Sequence, residues 1–147
     1  MNEYIGIFIA TVFFGAILVL YFLYITRPQK KKSSRASGRI DRAMAKNKWE
    51  EIQAMMKSGG PANYRQSIME ADKLVDLVLR AKVPGETMGE RLKNARNLFD
   101  RDTYDKLWTA HKIRNKVAHE ADFDGLGSDA ILAVRNFEKA LKELRVI

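Results

Sequence analysis

The chain has no cysteine, which excludes disulfides and thiolate-held metal centres. It has two histidines, His111 and His119, so imidazole chemistry is confined to one short stretch. No Gly-rich phosphate loop, no Ser/His/Asp order and no Cys-based nucleophile is present. Period-two alternation is missing over any useful length, and no repeat of about 20 to 50 residues is visible, which argues against sheets and solenoids. Asp122-Phe-Asp124-Gly125 begins like a calcium loop, but the later ligands of an EF-hand are missing. No cofactor and no metal are expected.

Charge is absent from Tyr4 to Ile25, a run of twenty-two residues rich in Ile, Phe, Leu, Val and Tyr. At about 1.5 Å rise per residue this makes roughly 33 Å of helix, enough for a bilayer core of about 30 Å. The sequence therefore predicts a single N-terminal transmembrane helix. Only Glu3 precedes it, whereas Arg27, Lys30, Lys31, Lys32, Arg35, Arg39 and Arg42 follow, which orients the N-terminus out and the C-terminus in. The expected location is the cell membrane, single-pass, with the C-terminal domain in the cytoplasm. The expected divisions are an anchor over 1–26, a basic juxtamembrane linker over 27–39 and a helical bundle over 40–147.

The net charge of +8 is unevenly spread. Residues 1–26 carry −1, residues 27–57 carry ten Lys/Arg against three acids, and residues 58–147 carry sixteen against fourteen. Basicity is concentrated in the linker, where Lys30, Lys31, Lys32 and Arg35 suit an anionic membrane surface. The remaining domain is nearly neutral and lacks the whole-domain basic footprint of a nucleic-acid binder.

Beyond the linker the apolar period is helical. Ala45, Trp49, Ile52 and Met56 recur at four, three and four, predicting a helix over about 40–57. Ser58-Gly59-Gly60 stops it, and Pro61 suits the first turn of a second helix over about 61–82, with Ile68, Ala71, Val75, Val78 and Leu79 inward. Thr87-Met-Gly-Glu90 has capping-box spacing and announces a short third helix. Asp102 is the expected cap of a fourth over about 103–120, and Ser128 of a fifth over about 129–145 carrying Ile131, Val134, Phe137, Leu141 and Leu144. The fold class is all-α: a transmembrane helix followed by a four- to five-helix antiparallel bundle.

The chemistry gathers in His111-Lys-Ile-Arg114-Asn115-Lys-Val-Ala-His119-Glu120. At about 100° per residue, His111, Asn115 and His119 share one edge of the fourth helix. Arg114 and His119 stand about 140° apart, so one straight helix does not aim both at a small group. Arg114 lies along the apolar stripe of its helix and needs a partner, because an unpaired buried charge costs several kcal/mol. Asp72, within about 40° of Ile68 on the second helix, is the leading partner for Arg114 or His111. Glu70, Asp76 and Glu90 read as surface carboxylates, and Trp49, Trp108, Met55, Met56 and Met69 as core or interface.

Arg114-Asn-Lys-Val-Ala-His119 resembles the signature of HEPN domains, an Arg followed after four to six residues by His, with a polar residue after the Arg. Its place near the junction of the last two long helices is also similar, and the resemblance spans about residues 45–147. It implies a helical bundle paired as a homodimer. In many such proteins it also implies a metal-independent ribonuclease, in which Arg114 holds the scissile phosphate, His119 moves a proton as the ribose 2′-hydroxyl attacks, and Asn115 orients either group. His111, Asp72 and Glu120 would support that site. Other members are binding or assembly modules without cleavage. Three functions are therefore expected as alternatives: an interaction module for an unidentified protein partner, a ribonuclease acting on RNA, and a lipid-binding adaptor using the basic linker.

Overall fold

The computed structural model describes residues 17–19, 21, 41–120 and 126–147. The chain divides into one unit over Met1–Ser33 and another over Ser34–Ile147. In the first, residues 17–19 and 21 are helical and exposed. The expected membrane-spanning fold is corrected here: among the described residues no helix is long and apolar enough to cross a membrane. The physical reason lies in their amphipathic composition. The longest described helix has 20 residues and carries Arg65, Glu70, Asp72, Lys73, Asp76 and Arg80. The rest of the Tyr4–Ile25 run and the basic linker with Lys30, Lys31, Lys32 and Arg35 lie outside the described residues.

The second unit is an all-helical bundle. Helix α1 spans Arg42–Ser58 and starts where an Asp41 carboxylate oxygen accepts from the Ala43 N–H at 2.9 Å. It buries Ala45, Trp49 and Ile52 at the expected spacing. Gly59 and Gly60, with φ of 68° and 85°, turn the chain in a conformation that side chains resist, and Pro61 opens helix α2, Pro61–Arg80. This helix is the hub, packed against each of the other α-helices. It buries Ile68, Ala71, Leu74, Val75, Val78 and Leu79.

Helix α3, Met88–Asn94, begins as its sequence predicts, with Thr87 Oγ1 accepting from the Glu90 N–H at 3.1 Å. The Glu90 carboxylate reaches back to the Glu86 N–H at 2.7 Å. A 3₁₀ turn, Arg96–Leu98, leads to helix α4, Arg101–His119. Its cap is Asp100, not Asp102 as expected. Asp100 has extended backbone angles and takes the Thr103 N–H at 2.6 Å, whereas Asp102 already lies in the first helical turn and pairs with Lys106 and Lys139.

Helix α5, Leu126–Glu143, starts before the expected Ser128 cap, with Leu126 buried in the core and Gly127 against the Tyr64 ring. Its inward stripe is Ala130, Ala133, Val134, Phe137, Ala140 and Leu141; Ile131, expected inside, is 48% exposed. Small residues let α5 lie close to both α2 and α4, and Phe137 fills the space between with no exposed surface.

Contacts along the two seams give the helix directions. Arg65 early in α2 meets the end of α4, while Asp72 further along meets Arg114 and His111 earlier in α4, so the two run antiparallel. Asp102 at the start of α4 meets Lys139 late in α5, so these are antiparallel too.

Candidate functional site

On α2, Asp72 sits between the buried Ala71 and Val75 and is itself buried. An ionised carboxylate there needs compensating hydrogen bonds or cations. Helix α4 supplies them within one turn. His111 Nδ1 lies 2.8 Å from Asp72 Oδ1, and Arg114 Nε lies 3.1 Å from Oδ2. The Arg114 Nε–H is buried and out of line for a hydrogen bond, so this second contact is coulombic.

Asn115 closes the circuit. Its side-chain oxygen accepts from Arg114 Nη1 at 3.1 Å, and its nitrogen faces His111 Nε2 at 3.3 Å. Asp72, His111, Asn115 and Arg114 thus form a ring of polar contacts across the α2/α4 seam. The Trp108 ring meets His111 edge-on at 6.1 Å and Tyr104 meets Trp108 likewise at 6.4 Å, with the Arg96 guanidinium 4.7 Å from the Tyr104 ring centre. This half-buried aromatic row screens one side of the ring.

The structure brings together Asp72, His111, Arg114 and Asn115 and leaves His119 apart. His119 ends α4 with its side chain exposed and, among the described residues, without a hydrogen-bonding or ionic partner. Helix α4 continues unbroken to His119, so Arg114 and His119 keep the separation that one straight helix imposes. Among the described residues, Glu120 enters through its backbone: its N–H donates to Lys116 O at 2.9 Å and its carbonyl accepts from Arg65 Nη2 at 3.1 Å.

Sequence reasoning missed Arg65. Its guanidinium also donates to the Val117 carbonyl, so it caps the C-terminal end of α4, where the helix dipole favours a cation. The available signal was its position on the same edge of α2 as Asp72, two turns earlier. A second buried clasp was missed as well. Arg91, 4% exposed, donates from Nε to Asp76 Oδ1 at 2.7 Å and from Nη1 to the Gly85 carbonyl at 2.7 Å, while Arg80 holds the other Asp76 oxygen. Glu70 meets Lys48 of α1 at 3.3 Å and Lys73 at 2.9 Å, and these contacts, the Lys73 hydrogen bond foremost, hold its carboxyl below the usual range. Three carboxylates of α2 therefore tie it to three different helices, Glu70 to α1, Asp72 to α4 and Asp76 to α3.

No protein-family model, no curated protein and no solved structure matches the chain.

Proposed function

We propose that residues 42–147 act as a HEPN-like helical interaction or assembly module in which the Arg/His cluster is a structural clasp. The observation that carries this reading is the double engagement of Asp72 by His111 and Arg114. It turns the guanidinium inward, away from the exposed His119. The position of Arg114-Asn-Lys-Val-Ala-His119 at the end of the penultimate helix supports the family resemblance. The neighbouring exposed residues Ile131 and Leu132 on α5, 48% and 44% exposed, support a contact face for a second copy or another protein.

The full chain, Arg114→Ala and His119→Ala are compared by thermal melting and by incubation with diverse single-stranded RNAs in EDTA. The clasp reading expects a marked fall in Tm for Arg114→Ala, none for His119→Ala, and no cyclic-phosphate ends. Cleavage that His119→Ala abolishes at unchanged Tm would overturn it in favour of a metal-independent ribonuclease built from Arg114 and His119.

A further inference from the structure

Arginine is a donor only, so the Asn115 atom that Arg114 Nη1 contacts is the amide oxygen. The other end of that amide, an NH₂ group, therefore faces His111 Nε2. An NH₂ donor needs an acceptor, so Nε2 carries no proton. Asp72 Oδ1 is an acceptor, so the proton of His111 is on Nδ1. Donor and acceptor counting thus fixes a single pattern: a neutral His111 with its proton on Nδ1, set between the Asp72 carboxylate and the Asn115 amide, with Arg114 as the one cation of the ring.

A second cation breaks the pattern. A proton added to His111 goes to Nε2 and meets the Asn115 NH₂, donor against donor. Rotating the amide by half a turn satisfies Nε2–H but then turns the NH₂ on Arg114 Nη1, again donor against donor. Asp72 would also face both an imidazolium and a guanidinium with one negative charge. Among the described residues, the groups that meet His111 are Asp72 from α2, and Trp108 and Asn115 from its own helix, with Arg114 across Asp72. The other charged residues on this edge of α2 are engaged, Arg65 with the α4 C-terminus and Asp76 with Arg80 and Arg91. None of these relieves the conflict.

We propose that the Asp72–His111–Asn115–Arg114 ring is a proton-linked switch that admits one cation, so that protonation of His111 releases the Arg114 guanidinium to the surface. Arg114 is the member free to leave, because its side chain is 27% exposed while those of His111 and Asp72 are 10% and 5% exposed. Release presents a cation on the α4 surface for a carboxylate or phosphate oxygen. Linkage makes the coupling reciprocal: an oxyanion that draws Arg114 out favours the protonated His111. The switch concerns the ring's own protons and does not depend on which partner the module engages.

The chain has only two histidines, so ¹⁵N-histidine NMR of the full chain, titrated from about pH 8 to about pH 5, reads both at once, with exposed His119 as the internal reference. His111 is expected as the Nδ1–H tautomer at neutral pH. The exchange rate of the Arg114 Nε–H, compared with that of free arginine at the same pH, is expected to rise to the free value in step with His111 protonation. An Nε2–H tautomer at His111, or an Arg114 Nε–H that stays protected relative to free arginine after His111 is protonated, overturns the proposal. Both readings come from the unaltered chain.

Discussion

Asp72 Oδ2 and Arg114 Nε meet at 3.1 Å across the seam between α2 and α4, with Asp72 Oδ1 taken by His111 at 2.8 Å. Removing the carboxylate strands a guanidinium and breaks the imidazole's hydrogen bond. Asp72→Ala is therefore expected to cost about 3–5 kcal/mol, in the range for breaking a buried pair. Arg114→Ala should cost less, roughly 2 kcal/mol, because the guanidinium is partly solvated and His111 still holds Asp72. Urea unfolding of both variants checks the order; equal effects would remove the distinction.

Gly85 has φ of 147°, and a Cβ there would lie 2.8 Å from Arg91 Cγ and 2.9 Å from the Arg91 backbone nitrogen. Gly85→Ala must displace backbone as well as side chain and loosen the Arg91–Asp76 clasp. A loss of more than about 1 kcal/mol is expected. Gly89, inside α3 with nothing within 4 Å of its Cβ position, gives the opposite sign. Gly89→Ala should gain about 0.5 kcal/mol, and thermal melting of the pair tests both directions.

The Thr103 backbone N–H holds the Asp100 carboxyl below its ordinary value of 3.8. A depressed carboxylate contributes stability that is present above its unfolded value and is lost as pH falls through the lower folded one. The α4 cap should thus weaken below about pH 4. Asp100→Asn keeps an acceptor oxygen but does not titrate, so its melting temperature should fall less steeply than that of the parent chain below that pH. A parallel decline would assign the acid sensitivity to other carboxylates, Glu70 among them. Asp102→Ala, which leaves the cap intact, should lower Tm less than Asp100→Ala.

Ile131→Glu places a charge on the outer face of α5, where the native residue is 48% exposed. Stability should stay within about 0.5 kcal/mol. If this face carries the assembly contact, sedimentation velocity should show weaker self-association. A self-associating chain that this substitution leaves unchanged would place the contact elsewhere.

Much of the bundle was legible from local rules. The Gly59-Gly60-Pro61 break, the Thr87 cap and the spacing of Ala45, Trp49 and Ile52 depend on neighbours in sequence and hold in the structure. Asp72 was legible as a clasp because a carboxylate within an apolar stripe demands a cation. The errors came where two local signals competed. Asp100 and Asp102 both have the side chain of a cap, and only the backbone angles at Asp100 choose between them. Ile131 fits an i, i+3 stripe with Val134 and Phe137, but the side of α5 that lies between α2 and α4 is the one carrying Ala130, Ala133 and Ala140. Arg65 and Arg91 looked like surface cations because nothing near them in sequence reveals a helix end or a carboxylate arriving from elsewhere.

By itself the sequence determined the helices, their breaks and the demand for charge partners, because those follow from periodicity, capping chemistry and the cost of burying a charge. The expected membrane span rested on the same kind of rule, and the described helices include none of that kind. Only the tertiary structure decided which partners the Arg/His stretch meets. Arg114 and His119 are five residues apart on one helix, but Asp72 of α2 meets Arg114 and His111, Asn115 closes the ring from within α4, and the His119 side chain stays exposed.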